Sequence, residues 1–147
     1  MAFVIGFQLV LVGVCFYAFW RGGTPERLAG LAGLVAAAAT IIVNLRTEAG
    51  SERLEVEVLI VDLVLLVFLV WLAVKANRFW PLWMTAAHGI AIAVHLAKAA
   101  TPEIDWPVYT FFSKGSALAV LAILWLGTLR HRRRLRTHGS DPPWRRF

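Results

Sequence analysis

The sequence predicts an all-α integral membrane protein, a bundle of five transmembrane helices. Hydrophobic residues make up 59% of its 147 residues, and the mean hydropathy of +0.68 is far above that of ordinary soluble domains. The apolar residues fall into five runs of about the length that crosses a bilayer. Short polar connectors, most of them bearing Pro or Gly, separate the runs, as expected between antiparallel neighbouring helices.

The five runs cover residues 3–20, 28–45, 56–74, 79–97 and 108–129. The first run lacks a basic start and a small-residue cleavage site, so we expect a retained span rather than a signal peptide. The connectors read RGGTPER, NLRTEAGSER, KANR and TPEIDWP. We therefore predict a transmembrane domain over residues 1–129 and an Arg-rich cytoplasmic tail over residues 130–147.

The distribution of Lys and Arg predicts the orientation, because cytoplasmic loops carry the excess of these residues. With the N-terminus outside and the C-terminus inside, eleven fall on the cytoplasmic side and four outside. Tryptophans agree, since Trp20, Trp71, Trp80, Trp83 and Trp125 fall near the predicted inner boundary, where amphipathic rings are enriched.

Residues 130–147 carry a net charge of +6, equal to that of the whole chain, so the high pI describes a tail and predicts no nucleic-acid partner. A single cysteine, Cys15, excludes an internal disulfide. No nucleotide-binding loop, nucleophile elbow or metalloprotease motif is present. We therefore expect a protein that is not an enzyme.

Polar residues inside the predicted spans concentrate in the outer half of the membrane. Asp62, His95 and Lys114 fall at comparable depth on three different helices. An ionised side chain at such depth normally faces the bundle interior or a partner. The simpler interpretation is an ion pair between Asp62 and Lys114; the alternative is a polar pocket that handles a proton, a quinone headgroup or a small polar ligand.

The stretch HGIAIAVHLAK places His88 and His95 seven residues apart on one helix face. At roughly 10 Å of separation they cannot bind one metal ion or supply both axial ligands of one haem. The simpler interpretation is hydrogen bonding across the helix interface. One imidazole can still hold a macrocycle from one side, because Ala91 leaves space, and this spacing resembles that of pigment-binding helices in light-harvesting polypeptides. We predict no cofactor, with a macrocycle or a quinone at these histidines as the alternative.

Two further features bear on partners. Ala29, Gly33 and Ala37 recur at intervals of four and give the second helix a small-residue face for close helix packing. The basic tail is expected to fix the C-terminus inside and to contact anionic lipid or a cytoplasmic surface, and its stub DPPW is stiff and extended. The predicted tail contacts are Arg130, Arg132, Arg133, Arg134, Arg136 and Trp144.

The segment NRFWPLW, followed by a His-bearing helix and a terminal GTLRHRRR, resembles short multi-pass inner-membrane proteins of bacteria that have no assigned activity. The resemblance covers about the last half of the chain. It implies a location in the bacterial inner membrane and implies no catalytic residues.

We therefore expect a non-catalytic accessory or assembly subunit of a larger, bioenergetic inner-membrane complex that docks on other integral membrane subunits. The alternative is a ligand-binding redox or transport protein that uses the outer polar pocket. A third interpretation is a homo-oligomeric channel lined by Asp62.

Overall fold

A computed structural model describes residues 2–47, 52–101, 103 and 105–144 of the chain. These residues form five α-helices: α1 Ala2–Arg21, α2 Thr24–Arg46, α3 Glu52–Lys75, α4 Trp80–Ala100 and α5 Trp106–His138. The prediction of an all-α bundle of five helices is confirmed.

The helices form a ring around a common interior. Each helix packs against its neighbour in the chain, and α5 returns to pack against α1 and, less extensively, α2. The short connectors make consecutive helices antiparallel, so α1, α3 and α5 run in one direction and α2 and α4 in the other. We call the end at which α1 and α3 finish and α5 carries its arginines the tail end, and the other end the pocket end.

Three of the helical segments are long and apolar enough to cross a membrane: Thr24–Arg46, Val56–Lys75 and Pro107–His138. A fourth segment, Ile5–Arg21, is apolar but shorter. Within the described residues α4 does not reach the same hydropathy, because His88, His95 and Lys98 interrupt its apolar sequence. Three membrane spans are thus supported by length and hydropathy.

Helix α5 is longer than the apolar run that predicted it. It continues without a break past residue 129 to His138 and ends where Gly139 adopts a left-handed conformation with φ of 71°, a common helix stop. Basic side chains favour the last turns of a helix because they complement its dipole. The first nine residues of the predicted tail are therefore helical, and residues 145–147 of that tail lie outside the described residues.

Close contacts between helices depend on small residues. A Cβ on Gly30 of α2 would lie 3.0 Å from the Cys15 carbonyl oxygen of α1, and one on Gly127 of α5 would lie 2.8 Å from the Trp80 ring. Ala29 is fully buried in the same core. The small-residue face of α2 is thus used within this chain, where it lets α1 approach closely.

Candidate functional site

A pocket of about 230 Å³ lies inside the ring and is lined by residues of all five helices. Toward the tail end the pocket is closed by four buried residues, which we call the floor: Cys15, Ala29, Met84 and Leu124. Its polar lining residues are Gln8, Thr40, Asp62, His88, His95 and Ser113. All but His88 lie in the half of their helix nearer the pocket end, and His88 lies close to the middle of α4. The interior therefore combines an apolar floor with a polar part nearer the pocket end, which we call the polar level.

His88 is buried and fixed to the neighbouring helix α3. Its Nε2 lies 2.9 Å from the backbone carbonyl oxygen of Asp62. A carbonyl oxygen only accepts, so Nε2 of His88 carries the proton and donates it. This contact ties α4 to α3 at the level of the pocket and leaves no free Nε2 for a ligand.

His95 lies about two helical turns beyond His88 on α4, toward the pocket end, between Asp62 and Tyr109. The hydroxyl of Tyr109 on α5 is 3.1 Å from His95 Nδ1, and the two rings meet edge to face with centroids 5.7 Å apart. If the hydroxyl donates to Nδ1, then Nε2–H of His95 points toward Asp62, whose Oδ2 is 3.9 Å away. That separation is too long for a hydrogen bond, so these two polar atoms keep hydrogen-bonding capacity for a third group.

The polar level is the accessible part of the site. The side chains of His95 and Asp62 are 23% and 21% exposed to solvent, whereas the residues of the floor are 2% exposed or less. A ligand can therefore reach the imidazole and the carboxylate without unpacking the core.

The structure brings together three of the four polar residues that the sequence singled out within the spans. Asp62, His88 and His95 all line the pocket. Lys114 does not line it and is exposed on α5, whereas Asp62 Oδ2 lies 3.9 Å from His95 Nε2. Tyr109, which contacts His95 but does not line the pocket, is a further residue of the site that sequence reasoning missed. Its signal is its place near the start of α5, opposite the end of α4 across a short connector.

The described residues contain no group of three or more His, Cys, Asp or Glu side chains placed to hold a metal ion. The pocket is also below the range of roughly 300–1,000 Å³ typical of sites for drug-sized ligands. A small ligand or part of a larger one therefore fits the volume better than a macrocycle.

A second polar cluster lies at the tail end and was not predicted. Its centre is Arg78, in the connector between α3 and α4, with a side chain only 2% exposed. Arg78 Nε is 3.0 Å from Oε1 of Glu26 on α2, and Nη1 is 2.7 Å from Oδ1 of Asp141. The sequence analysis places Arg78 and Glu26 in polar connectors and Asp141 in the basic tail, without predicting their pairing. A buried arginine needs such partners because unpaired burial of a charge is costly.

His131 and Trp80 complete this cluster, which we call the Arg78 cluster. His131 Nδ1 is 2.7 Å from Asp141 Oδ2, and because a carboxylate accepts, Nδ1 of His131 donates. The indole N–H of Trp80 donates to Glu26 Oε1 at 2.9 Å. Trp80 is therefore a buried core residue, and its predicted place in an interfacial belt is wrong.

The charges around Asp141 determine its titration. Burial alone would raise the pKa of this carboxyl, but hydrogen bonds from Arg78 and His131, together with the positive charges of Arg78 and Arg134, outweigh burial and lower it. Asp141 therefore remains ionised at neutral pH, as its role in the Arg78 cluster requires.

The segment after α5 folds back onto its own chain. The backbone N–H of Asn77 donates to the carbonyl of Pro143 at 3.1 Å, and Ala76 pairs with Trp144 in an antiparallel bridge. The Trp144 ring lies 6.1 Å from that of Trp71. The surface that holds the predicted DPPW stub is thus the end of α3 and the connector that follows.

The predicted tail residues have four kinds of environment. Arg132 donates to the Tyr17 hydroxyl on α1 at 3.0 Å, and Arg134 lies 3.6 Å from Asp141. Trp144 packs on Trp71. The remaining three, Arg130, Arg133 and Arg136, are exposed.

These helices define the class of protein: a helical, multi-pass membrane protein. No protein-family profile matches the chain, and neither the curated proteins nor the solved structures contain a match. Its function is therefore argued from the pocket and its residues.

Proposed function

We propose that this chain is a bacterial inner-membrane protein with five spans that binds a small amphipathic ligand in its central pocket. The observation that carries the proposal is the pocket itself, with an apolar floor below and His95 and Asp62 above. Sites of this kind combine apolar walls with a few placed polar groups. The proposed role is binding or carriage of the ligand, without catalysis.

The proposed orientation has the N-terminus outside and the C-terminus in the cytoplasm. Eleven of the fifteen Lys and Arg residues fall on the cytoplasmic side in this arrangement. Large aromatic residues exposed toward the tail end support an interface there. They are Trp20, Trp71, Phe79, Trp83 and Trp125. The pocket then opens toward the non-cytoplasmic half of the membrane.

The polar level specifies the ligand's headgroup. His95 Nε2–H donates, and the Asp62 carboxylate accepts. Because the two atoms are 3.9 Å apart, one oxygen can lie within hydrogen-bond distance of both. A hydroxyl fits this pair, since it accepts from His95 and donates to Asp62. The floor suits an apolar body, so a quinol headgroup satisfies both parts of the site.

The test is purification in mild detergent followed by lipid extraction and mass spectrometry, with an absorption spectrum of the same sample. We expect a stoichiometric quinone or quinol in the wild-type protein and loss of that ligand in His95→Ala. His138→Ala is the matched control, because His138 is exposed at the tail end. Retention of the ligand by His95→Ala, or failure of the wild-type protein to take up added quinol, would overturn the proposal.

An accessory subunit of a larger membrane complex is the second candidate. The observation that favours it is on α1, where Gly6 and Gly13 are exposed and a Cβ on either would meet nothing within 4 Å. Glycines on an outward helix face allow a partner helix to approach closely. Stoichiometric membrane subunits that co-purify with the wild type and are lost in Gly6→Ile/Gly13→Ile would support it. A protein purified alone and loaded with ligand would exclude it.

A further inference from the structure

The outer surface of the hairpin formed by α1 and α2 carries an aromatic groove at the tail end. The groove has a volume of about 360 Å³ and is lined by Phe16, Phe19, Trp20 and Arg27. The three aromatic residues are 53–64% exposed. They lie at positions i, i+3 and i+4 of α1, so they share one helix face.

One arginine, Arg27, lines this groove, and a second, Arg21, stacks on the Trp20 ring that lines it. The guanidinium of Arg21 lies 4.7 Å from the centre of the Trp20 ring, a cation–π distance. Arg27 donates its Nε–H to the Gly22 carbonyl at 3.1 Å, which fixes the side chain beside the turn. Within the described part of the chain, neither arginine forms an ion pair with a carboxylate. Their charges are therefore available to an anion.

The neighbouring acid does not neutralise them. Glu26 lies on the same first turn of α2 as Arg27, but it is fully buried and paired with Arg78. The tight turn at Gly22 keeps α1 and α2 together at this point, because a Cβ there would collide with the Ala18 carbonyl. The hairpin therefore presents positive charge next to exposed aromatic surface on a fixed scaffold.

We infer that this groove is a binding site for an anionic phospholipid, with the phosphate between Arg21 and Arg27 and an acyl chain along Phe16, Phe19 and Trp20. Guanidinium groups bind phosphate by charge-assisted hydrogen bonds, and aromatic residues at a membrane interface suit the boundary between headgroup and acyl chain. The inference requires α1 and α2 to lie in the membrane, but it is independent of any ligand in the central pocket.

The exposed tail arginines interact differently. Arg133 and Arg136 line neither the central pocket nor the hairpin groove, and we expect them to attract anionic lipid through diffuse charge. The hairpin groove, by contrast, is expected to hold one lipid molecule stoichiometrically. A pair of tail substitutions therefore serves as the charge-matched control.

The experiment is native mass spectrometry of the purified protein in detergent with added palmitoyl-oleoyl phosphatidylglycerol or phosphatidylcholine. We expect one tightly bound phosphatidylglycerol, and about tenfold weaker binding in Arg21→Gln/Arg27→Gln. Arg133→Gln/Arg136→Gln should weaken it by less than about twofold. Equal losses in both variants, or equal binding of both lipids by the wild type, would overturn the inference.

A second variant tests the apolar half and guards against misfolding of the first. Phe16→Ala/Phe19→Ala removes only exposed rings and keeps both arginines, so we expect weaker phosphatidylglycerol binding by a folded protein. Excess glycerol phosphate should fail to displace the lipid from the wild type. Unchanged lipid binding by the Phe variant, or displacement by glycerol phosphate, would show an anion site without an acyl groove and would overturn the lipid assignment.

Discussion

Arg78 Nη1 lies 2.7 Å from Asp141 Oδ1, and this contact fastens the segment after α5 to the connector between α3 and α4. Arg78 also pairs with Glu26 at the start of α2. One guanidinium thus joins three parts of the chain at the tail end. The cluster is buried, so its charges depend on one another rather than on water.

We expect Arg78→Met to be strongly destabilising, by about 3–5 kcal/mol, because it removes the buried guanidinium that pairs with both Glu26 and Asp141. The measurement is thermal or denaturant unfolding of the detergent-solubilised protein. Arg133→Met is the control, since Arg133 is exposed, and it should change stability by less than about 0.5 kcal/mol. Equal stability of the two variants would contradict a structural role for the cluster.

Asp141 predicts a pH dependence of stability. Its pKa is lowered in the folded protein, so its contribution is fully present above the unfolded value of about 3.9. The contribution is lost as the pH falls below about 4 through the lower folded pKa. We expect Asp141→Asn to be less stable than the wild type at pH 7 and to lose less stability between pH 5 and pH 3. Parallel curves for the two proteins would contradict this assignment.

Gly127 and Gly115 lie on the same helix and make opposite predictions. A Cβ on Gly127 would lie 2.8 Å from the buried Trp80 ring, whereas one on Gly115 meets nothing within 4 Å. Gly127→Ala should lower the unfolding midpoint, because the Trp80 ring must shift and its hydrogen bond to Glu26 would be weakened. Gly115→Ala should be neutral or raise stability by up to about 1 kcal/mol through helix propensity. Similar midpoints for both variants would show that Trp80 adjusts freely.

Filling the pocket should separate ligand binding from folding. Ala91 lines the pocket, whereas Ala93 on the same helix is exposed. We expect Ala91→Leu to retain the fold and to lose the co-purifying ligand, because the new side chain occupies part of the cavity. Ala93→Leu should keep the ligand. Ligand content measured by mass spectrometry, together with helicity from circular dichroism, distinguishes these outcomes. Unchanged ligand content in Ala91→Leu would show that the ligand binds outside this pocket.

Tyr109 should affect binding through His95. Tyr109→Phe removes the hydroxyl that lies 3.1 Å from His95 Nδ1 and keeps the ring. Without that partner the imidazole is free to change tautomer or rotate, so we expect about tenfold weaker quinol binding. Titration of the ligand-depleted protein with quinol measures the change. Tyr17→Phe, at the tail end, is the control and should bind normally.

The helices were predictable because each of them contains an apolar run of about the length of a spanning helix, bounded by polar connectors. Hydropathy does not show which side chains meet, and there the sequence was less informative. It grouped Asp62 with His95 by depth, and the structure places their polar atoms 3.9 Å apart. It also grouped Lys114, which is exposed. Depth alone does not give the direction in which a side chain leaves its helix.

The Arg78 cluster was missed for a different reason. Glu26 and Arg78 fall in polar connectors, where charges are expected and carry no signal of burial. Their pairing with Asp141 depends on how α2, α5 and the connector after α3 converge, and this involves residues 63 positions apart. The extension of α5 was missed because the helix continues after its apolar face ends.

The sequence separations within the Arg78 cluster predict an order of assembly during synthesis. Glu26 precedes Trp80 by 54 residues, and Asp141 follows Arg78 by 63. At roughly 5–20 residues per second, the ribosome needs about 3–13 seconds to add the 63 residues between Arg78 and Asp141. During that time α2, α4 and the connector before α4 can already join at the tail end through Glu26, Arg78 and Trp80. We expect the arrival of Asp141 to close the cluster, so that the segment after α5 is secured only after α2 and α4 have met.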